Sequence, residues 1–257
     1  MLDFLKKFMI DGFNPGDYTM GTVHQVSLYL SGLTIVLFAF LLRKKDADYV
    51  NKKMKIIAFV SLFFYLLNRF VRVYQGMSVI EAFWPFYLCN VNTLLLSIYI
   101  IFDIKKGKDF FIITGISGAV LAFIIPYGIF NDQYLTLNIL DSVLSHYEIV
   151  TIPVILLSTK TYQLDIKKSW TVVVGLLLVW INVEFVQPLL TGNQVDYLFL
   201  DGTLPFQIPG VNQFFIMFFA ALVYVYFVYF LDYLYLGKFN LKRVFKKSNE
   251  RSLLKEN

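Results

Sequence analysis

Residues 84–102 read WPFYLCNVNTLLLSIYIIF. The run approaches the roughly 20 apolar residues, at about 1.5 Å each, that carry a helix across a hydrocarbon core. Yet it opens on Trp84 and Pro85 and holds the chain's only cysteine, Cys89, beside Asn90 and Asn92. Outward from it, comparable runs lie near 22–42, 56–74, 110–130, 135–158, 170–190 and 210–236, which with 83–102 makes seven. Of the 257 residues, 58% are hydrophobic and 18% aromatic, and the mean hydropathy is +0.63. That lies above the apolar share of about 45–50% usual in soluble domains. The expected fold is all-α: a polytopic membrane bundle of seven transmembrane helices, with a tail over 1–21, a membrane domain over 22–236 and a basic tail over 237–257. Lys6 and Lys7 precede only a short apolar stretch with no small-residue cleavage site. The first residues therefore read as a tail or a brief interfacial helix, not as a secretory signal.

Basic residues set the expected orientation, because positively charged loops are retained on the cytoplasmic side. The stretch 43–55 holds six Lys and Arg, 103–109 holds three, 159–169 holds three and the tail from Gly237 holds seven. The alternate connections 75–82, 131–134 and 191–209 hold none. This pattern places the N-terminus outside and the C-terminus inside, with the basic tail against anionic lipid headgroups. The net charge of +5 is thereby absorbed by topology. Nucleic acid is not an expected partner, since no aromatic-basic surface motif accompanies the charges.

Polar side chains within the spans are costly in hydrocarbon and mark functional candidates. Asn68, Arg69 and Arg72 fall near the outer end of the second run, and Glu81, Cys89, Asn90 and Asn92 in the outer half of the third. The fifth carries Asp141, His146 and Glu148, and the sixth Asn182, Glu184 and Gln187. His24 opens the first, and Asn212 and Gln213 the seventh. The expectation is one polar cavity open to the outer leaflet, with nearly apolar cytoplasmic halves. The plainer alternative is that these groups bridge helices, as hydrogen-bonding side chains commonly do in bundles.

At about 1.5 Å per residue, Cys89 lies roughly 10 Å and His146 roughly 15 Å into their runs, so a thiol and a base share one band. A thiol attacks only when a neighbour draws off its proton. His146 is the candidate base, and Arg69 and Arg72 are candidates to hold a phosphate or an oxyanion. His24, Asn92, Asn182 and Glu184 are candidates to orient or stabilise the substrate. Against these stand a Cys89 that packs as a small hydrophobe and a His146 that bridges helices. One cysteine, two histidines and scattered carboxylates have no metal-ligand spacing, so neither metal nor cofactor is expected.

The order of motifs resembles the YwaF-type seven-helix membrane proteins of bacteria. The pieces are MGTVHQVSLYL around His24, EAFWPFYLCNVNTLLL around Cys89, GISGAVLAFIIP ending at Pro126, DSVLSHYEIVTIPV around His146, and NVEFVQPLLTGNQVDYLFL from Asn182. Where that family usually carries a histidine two residues before the cysteine, this chain has Tyr87. The family is distantly similar to a eukaryotic acyltransferase that moves fatty acyl chains onto ether lysophospholipids through a cysteine. The resemblance implies Cys89 as acyl acceptor and His146 as general base. The expected function is thus a Cys/His-dependent acyltransferase or hydrolase acting on membrane phospholipid or lysophospholipid in the outer leaflet. The rival from another class is a binding or transport protein using the same cavity without covalent chemistry.

Overall fold

A computed structural model describes residues 8–9, 16–124, 129–192 and 213–235. The basic tail over 237–257, most of the N-terminal tail, Pro126, Asn212 and the connection 193–212 lie outside the described residues. Every element among those described is helical: α1 (Thr22–Leu42), α2 (Ala47–Tyr74), α3 (Val79–Phe83), α4 (Leu88–Ile101), α5 (Lys108–Ile124), α6 (Leu137–Ser158), α7 (Ser169–Ile181), α8 (Gln187–Thr191) and α9 (Gln213–Tyr235). A single 3-10 turn (Ile166–Lys168) precedes α7, and a π turn (Asn182–Val186) joins α7 to α8.

Among the described residues, five helical stretches are long and apolar enough to cross a membrane: Thr22–Leu42, Ala47–Tyr74, Leu137–Ser158, Ile166–Thr191 and Phe215–Tyr235. The third expected run yields a shorter helix of 14 residues, and the fourth a helix described over 17 residues up to Ile124. The cause in the third is local. Ser78 forms a reciprocal cap with Glu81, α3 stops after Phe83, and Trp84 turns to extended geometry ahead of Pro85. A residue before proline is driven out of the helical region, and proline brings no N–H to continue the ladder. Helix α4 restarts only at Leu88, with Tyr87 as its extended N-cap. Helix α2 conversely begins well before residue 56, because the Asp46 carboxylate accepts from the Tyr49 N–H at 2.8 Å and starts the helix early.

Helix α6 is the centre of the bundle, packed on α1, α2, α4 and α5. Lipid tails are as apolar as leucine, so close packing and hydrogen bonds between helices carry association here. Pro153 lies inside α6 and has no N–H to offer the Ile149 carbonyl four residues earlier. Gly115 of α5 approaches that same carbonyl so closely that a Cβ would stand 2.6 Å from its oxygen. A proline on one helix and a glycine on the next are therefore read together.

Contacts sort the loops into two ends. At one end, Lys55 pairs with Asp103 at 2.6 Å, Tyr162 bonds Asp109, and the Tyr235 hydroxyl donates to the Ser158 carbonyl at 2.9 Å. At the other, the N–H groups of Gly16 and Tyr18 donate to the carbonyls of Asn131 and Phe130 at 3.2 and 3.0 Å, and Trp84 meets Asn182. The described parts of the basic stretches 43–55, 103–109 and 159–169 thus lie at one end, and Cys89 begins its helix at the other.

Candidate functional site

Cys89 occupies the second position of α4, created by the Trp84–Pro85 break. The Val91 N–H makes an early ladder bond to Tyr87 O at 3.0 Å, so the N–H groups before it have no carbonyl within the helix. The Cys89 sulfur faces the backbone N–H groups of Cys89 and Asn90, and the charges of Arg69 and Asp141 act on it. Helix N-termini and nearby cations stabilise thiolates, whereas apolar packing favours the neutral thiol. Both kinds of neighbour are present, because Cys89 is also packed against the hydrophobic core.

Around it stands a polar cluster from α2 and α6. Asn68 Nδ2 donates to Asp141 Oδ2 at 2.7 Å and to Asn138 Oδ1 at 3.2 Å. Ser145 Oγ donates to Asp141 Oδ1 at 3.2 Å, and an Arg72 guanidinium nitrogen donates to Asn138 Oδ1 at 2.7 Å. Arg69 lies over the Tyr65 ring at 4.4 Å, and its buried Nε has no hydrogen-bond partner among the described residues. Asp141 feels the charges of both Arg69 and Arg72, yet no ion pair closes between it and either arginine among the described residues. The cluster therefore holds two cationic groups, one of them buried, beside the only thiol.

His146 is placed differently. Its Nδ1 lies 2.6 Å from the Ser142 carbonyl. A carbonyl only accepts, so Nδ1 carries the proton and, in the neutral ring, Nε2 keeps its lone pair. The ring meets Phe123 edge-on at 6.0 Å and lines a shallow cleft with Phe123, Ile129, Phe130, Ser142 and Val143. No hydrogen bond joins Cys89 and His146 among the described residues. Asp141 and His146, five residues apart on α6, point about 140° away from each other around the helix.

His24 is fully engaged in structure: Nδ1 accepts from the Met20 N–H at 2.9 Å and Nε2 donates to the Phe123 carbonyl at 2.8 Å. It fixes the entry to α1 and ties it to α5. Asn92 accepts from Thr114 Oγ1 at 3.1 Å and bridges α4 to α5. Asn182 accepts from Trp84 Nε1 at 2.7 Å and donates to the Pro85 carbonyl at 3.0 Å, so it clamps the break from which Cys89's helix starts. Glu184 follows within the π turn, half-buried. Such turns replace a regular stretch of helix at a local cost and recur at functional sites. Sequence reasoning missed Tyr65, Asn138 and Ser145. The spacing Asn138, Asp141, Ser145, Glu148 puts four polar groups on one face of α6 and was the available signal.

A family model described as the TMEM164 family matches residues 19–231. No curated protein and no solved structure matches the chain.

Proposed function

We propose, for a chain that belongs to the TMEM164 family of membrane proteins, that the Cys89 end of the bundle carries an acyl group between phospholipids. The observation that supports this most directly is the place of the thiol in the first turn of α4, facing the Cys89 and Asn90 N–H groups, with the Arg69 charge acting on it. In the proposed reaction a base takes the thiol proton, and the sulfur attacks the acyl carbonyl carbon of a phospholipid ester. His146 is the base of the sequence reading and reaches the sulfur only if its ring turns from the Phe123 cleft; Asp141, whose charge acts on the thiol, is the alternative. The C–S bond forms, the ester C–O bond breaks, and the lysolipid oxygen leaves with the proton from that base. A second lysolipid hydroxyl or water then attacks the thioester, C–O replaces C–S, and the thiol is restored. First-turn N–H groups of α4 are the donors for the developing oxyanion, and Arg69 and Arg72 the partners for the headgroup phosphate. The reading includes seven spans, with the Cys89 end facing the outer leaflet of a bacterial cytoplasmic membrane and the basic connections retained inside.

The test is capture of the thioester. Purified protein is incubated with a phospholipid bearing an alkyne-tagged acyl chain, and hydroxylamine-sensitive label is read on Cys89. Label present in the unmodified chain, lost in Cys89→Ala and strongly slowed in His146→Ala is the expected result. Label that survives in Cys89→Ala ends the thioester mechanism; capture slowed by Asp141→Asn but not by His146→Ala moves the base to Asp141. The unpartnered Nε of buried Arg69 favours one second reading, an anion-binding cavity without covalent chemistry. That reading holds if lipid binding persists in Cys89→Ala and is lost in Arg69→Gln with no acyl transfer in either.

A further inference from the structure

Deeper along the same face of α6, beyond Asp141 and Ser145, lies Glu148. It is fully buried, with no exposed surface. Its Oε1 accepts from Ser97 Oγ at 2.6 Å, and that same hydroxyl reaches the Ala58 carbonyl at 3.2 Å, which brings α2, α4 and α6 together at one level. Its Oε2 has no hydrogen-bond partner among the described residues. Ser61 of α2 sits beside the carboxyl without completing a bond of its own, and the hydroxyls of Thr151 and Thr93 are likewise buried and unpartnered. Thr151 follows Glu148 by three residues and Thr93 precedes Ser97 by four, so each falls on the face that carries the carboxyl or its donor. No charged side chain among the described residues acts on Glu148: Arg69 and Arg72, which act on Asp141, do not reach it.

A carboxyl in this position must be neutralised, since an isolated charge in an apolar interior is strongly disfavoured. A proton would do so but would need only one acceptor, leaving several buried hydroxyl oxygens unexplained. A divalent ion would leave the centre with net positive charge and ordinarily demands more carboxylates. One carboxylate ringed by hydroxyl oxygens is a hard, all-oxygen donor set of single negative charge. We propose that Glu148, with Ser61, Ser97 and Thr151, binds a small monovalent cation of the sodium class between α2, α4 and α6. The polar stripe Asn138, Asp141, Ser145 is its route from the Cys89 end, about 10 Å from Asp141 to Glu148 at the rise of a helix. The site is separate from the proposed acyl-transfer chemistry and stands whether or not that reading does.

A cation bound only by the folded chain stabilises it by mass action. Purified protein in nanodiscs is melted by tryptophan fluorescence while NaCl replaces choline chloride at constant ionic strength and pH. A saturable rise in Tm with NaCl, absent with KCl and lost in Glu148→Gln, is the expected result. Thr151→Val and Ser61→Ala, milder changes that keep the charge, should each shift the NaCl midpoint to higher concentration; they carry the test if Glu148→Gln fails to fold. Equal melting in all salts overturns the proposal. So does a sodium response retained in Glu148→Gln, or left unmoved in both milder variants. With the series repeated at two further pH values, stabilisation that follows pH and not sodium also overturns it and assigns the centre to a proton.

Discussion

Gly115 shows how much one hydrogen atom decides in a packed membrane bundle. A methyl group there would stand 2.6 Å from the Ile149 carbonyl oxygen, a backbone atom of the central helix that cannot swing aside. Gly115→Ala should destabilise the fold by about 1–3 kcal/mol, the usual cost of overpacking a well-filled core. Thermal unfolding in detergent checks this; an unchanged Tm would mean that α5 and α6 slide apart at no cost. His24 teaches the same lesson in polar terms. Its position in the sequence marks it for a site, but both ring nitrogens are spent on Met20 and Phe123. Cys89 differs: among the described residues its sulfur, packed against the core at a helix terminus, has only a long side-chain contact, to Asn90 Oδ1 at 3.9 Å.

At the scale of elements, the end carrying the described basic connections is closed by Asp109 in the first turn of α5. Its carboxylate accepts from the hydroxyl of Tyr162 and, at 2.8 Å, from that of Tyr229, and the Asp165 N–H reaches it at 3.2 Å. One buried acid thus ties α5, the α6–α7 connection and α9. Burial, and then the bond to Asp109, push the Tyr162 phenol well above its ordinary value. The folded chain therefore keeps a proton that the unfolded chain gives up near pH 10. Stability from this bond is complete below about pH 10 and falls as pH rises past it, because the unfolded state then binds fewer protons. Melting followed from pH 8 to 11.5 should show the fall, and Tyr162→Phe should flatten part of it. An alkaline limb of identical slope in the variant would place the titrating group elsewhere. The α7–α8 region works in the opposite sense: its π turn gives up regular geometry where Asn182 grips the Trp84–Pro85 break.

For the whole molecule, the sorting of loops into two ends is a structural fact, and its direction in a membrane is a prediction. In a Cys89→Ala background, Tyr134→Cys should react with an impermeant maleimide from outside right-side-out vesicles, and Ala47→Cys only after permeabilisation. Reaction of both from one side would break the two-ended arrangement, and the reverse pattern would invert the bundle. The mean hydropathy of +0.63 and the alternation of connections with and without basic residues required no tertiary information to read. Hydrocarbon forces a chain to satisfy its backbone internally, so an apolar run of sufficient length becomes a helix whatever its neighbours are.

Which face of each helix turns inward was decided only in three dimensions. Each residue rotates a helix by about 100°, so a boundary uncertain by two residues points every side chain somewhere else. That is why the sequence could set Cys89 and His146 in one band, while the tertiary structure put the charges of Arg69 and Asp141 on the thiol and turned His146 towards Phe123. It is also why the Glu148 centre stayed hidden: Ser61 and Ser97 are ordinary residues in apolar runs until packing brings them to one carboxyl. Sequence by itself determined that the chain is a set of helices long and apolar enough to embed in a membrane. Tertiary packing alone decided which of those groups meet, because meeting depends on rotation and register between helices, and neither is written in the hydropathy of any single one.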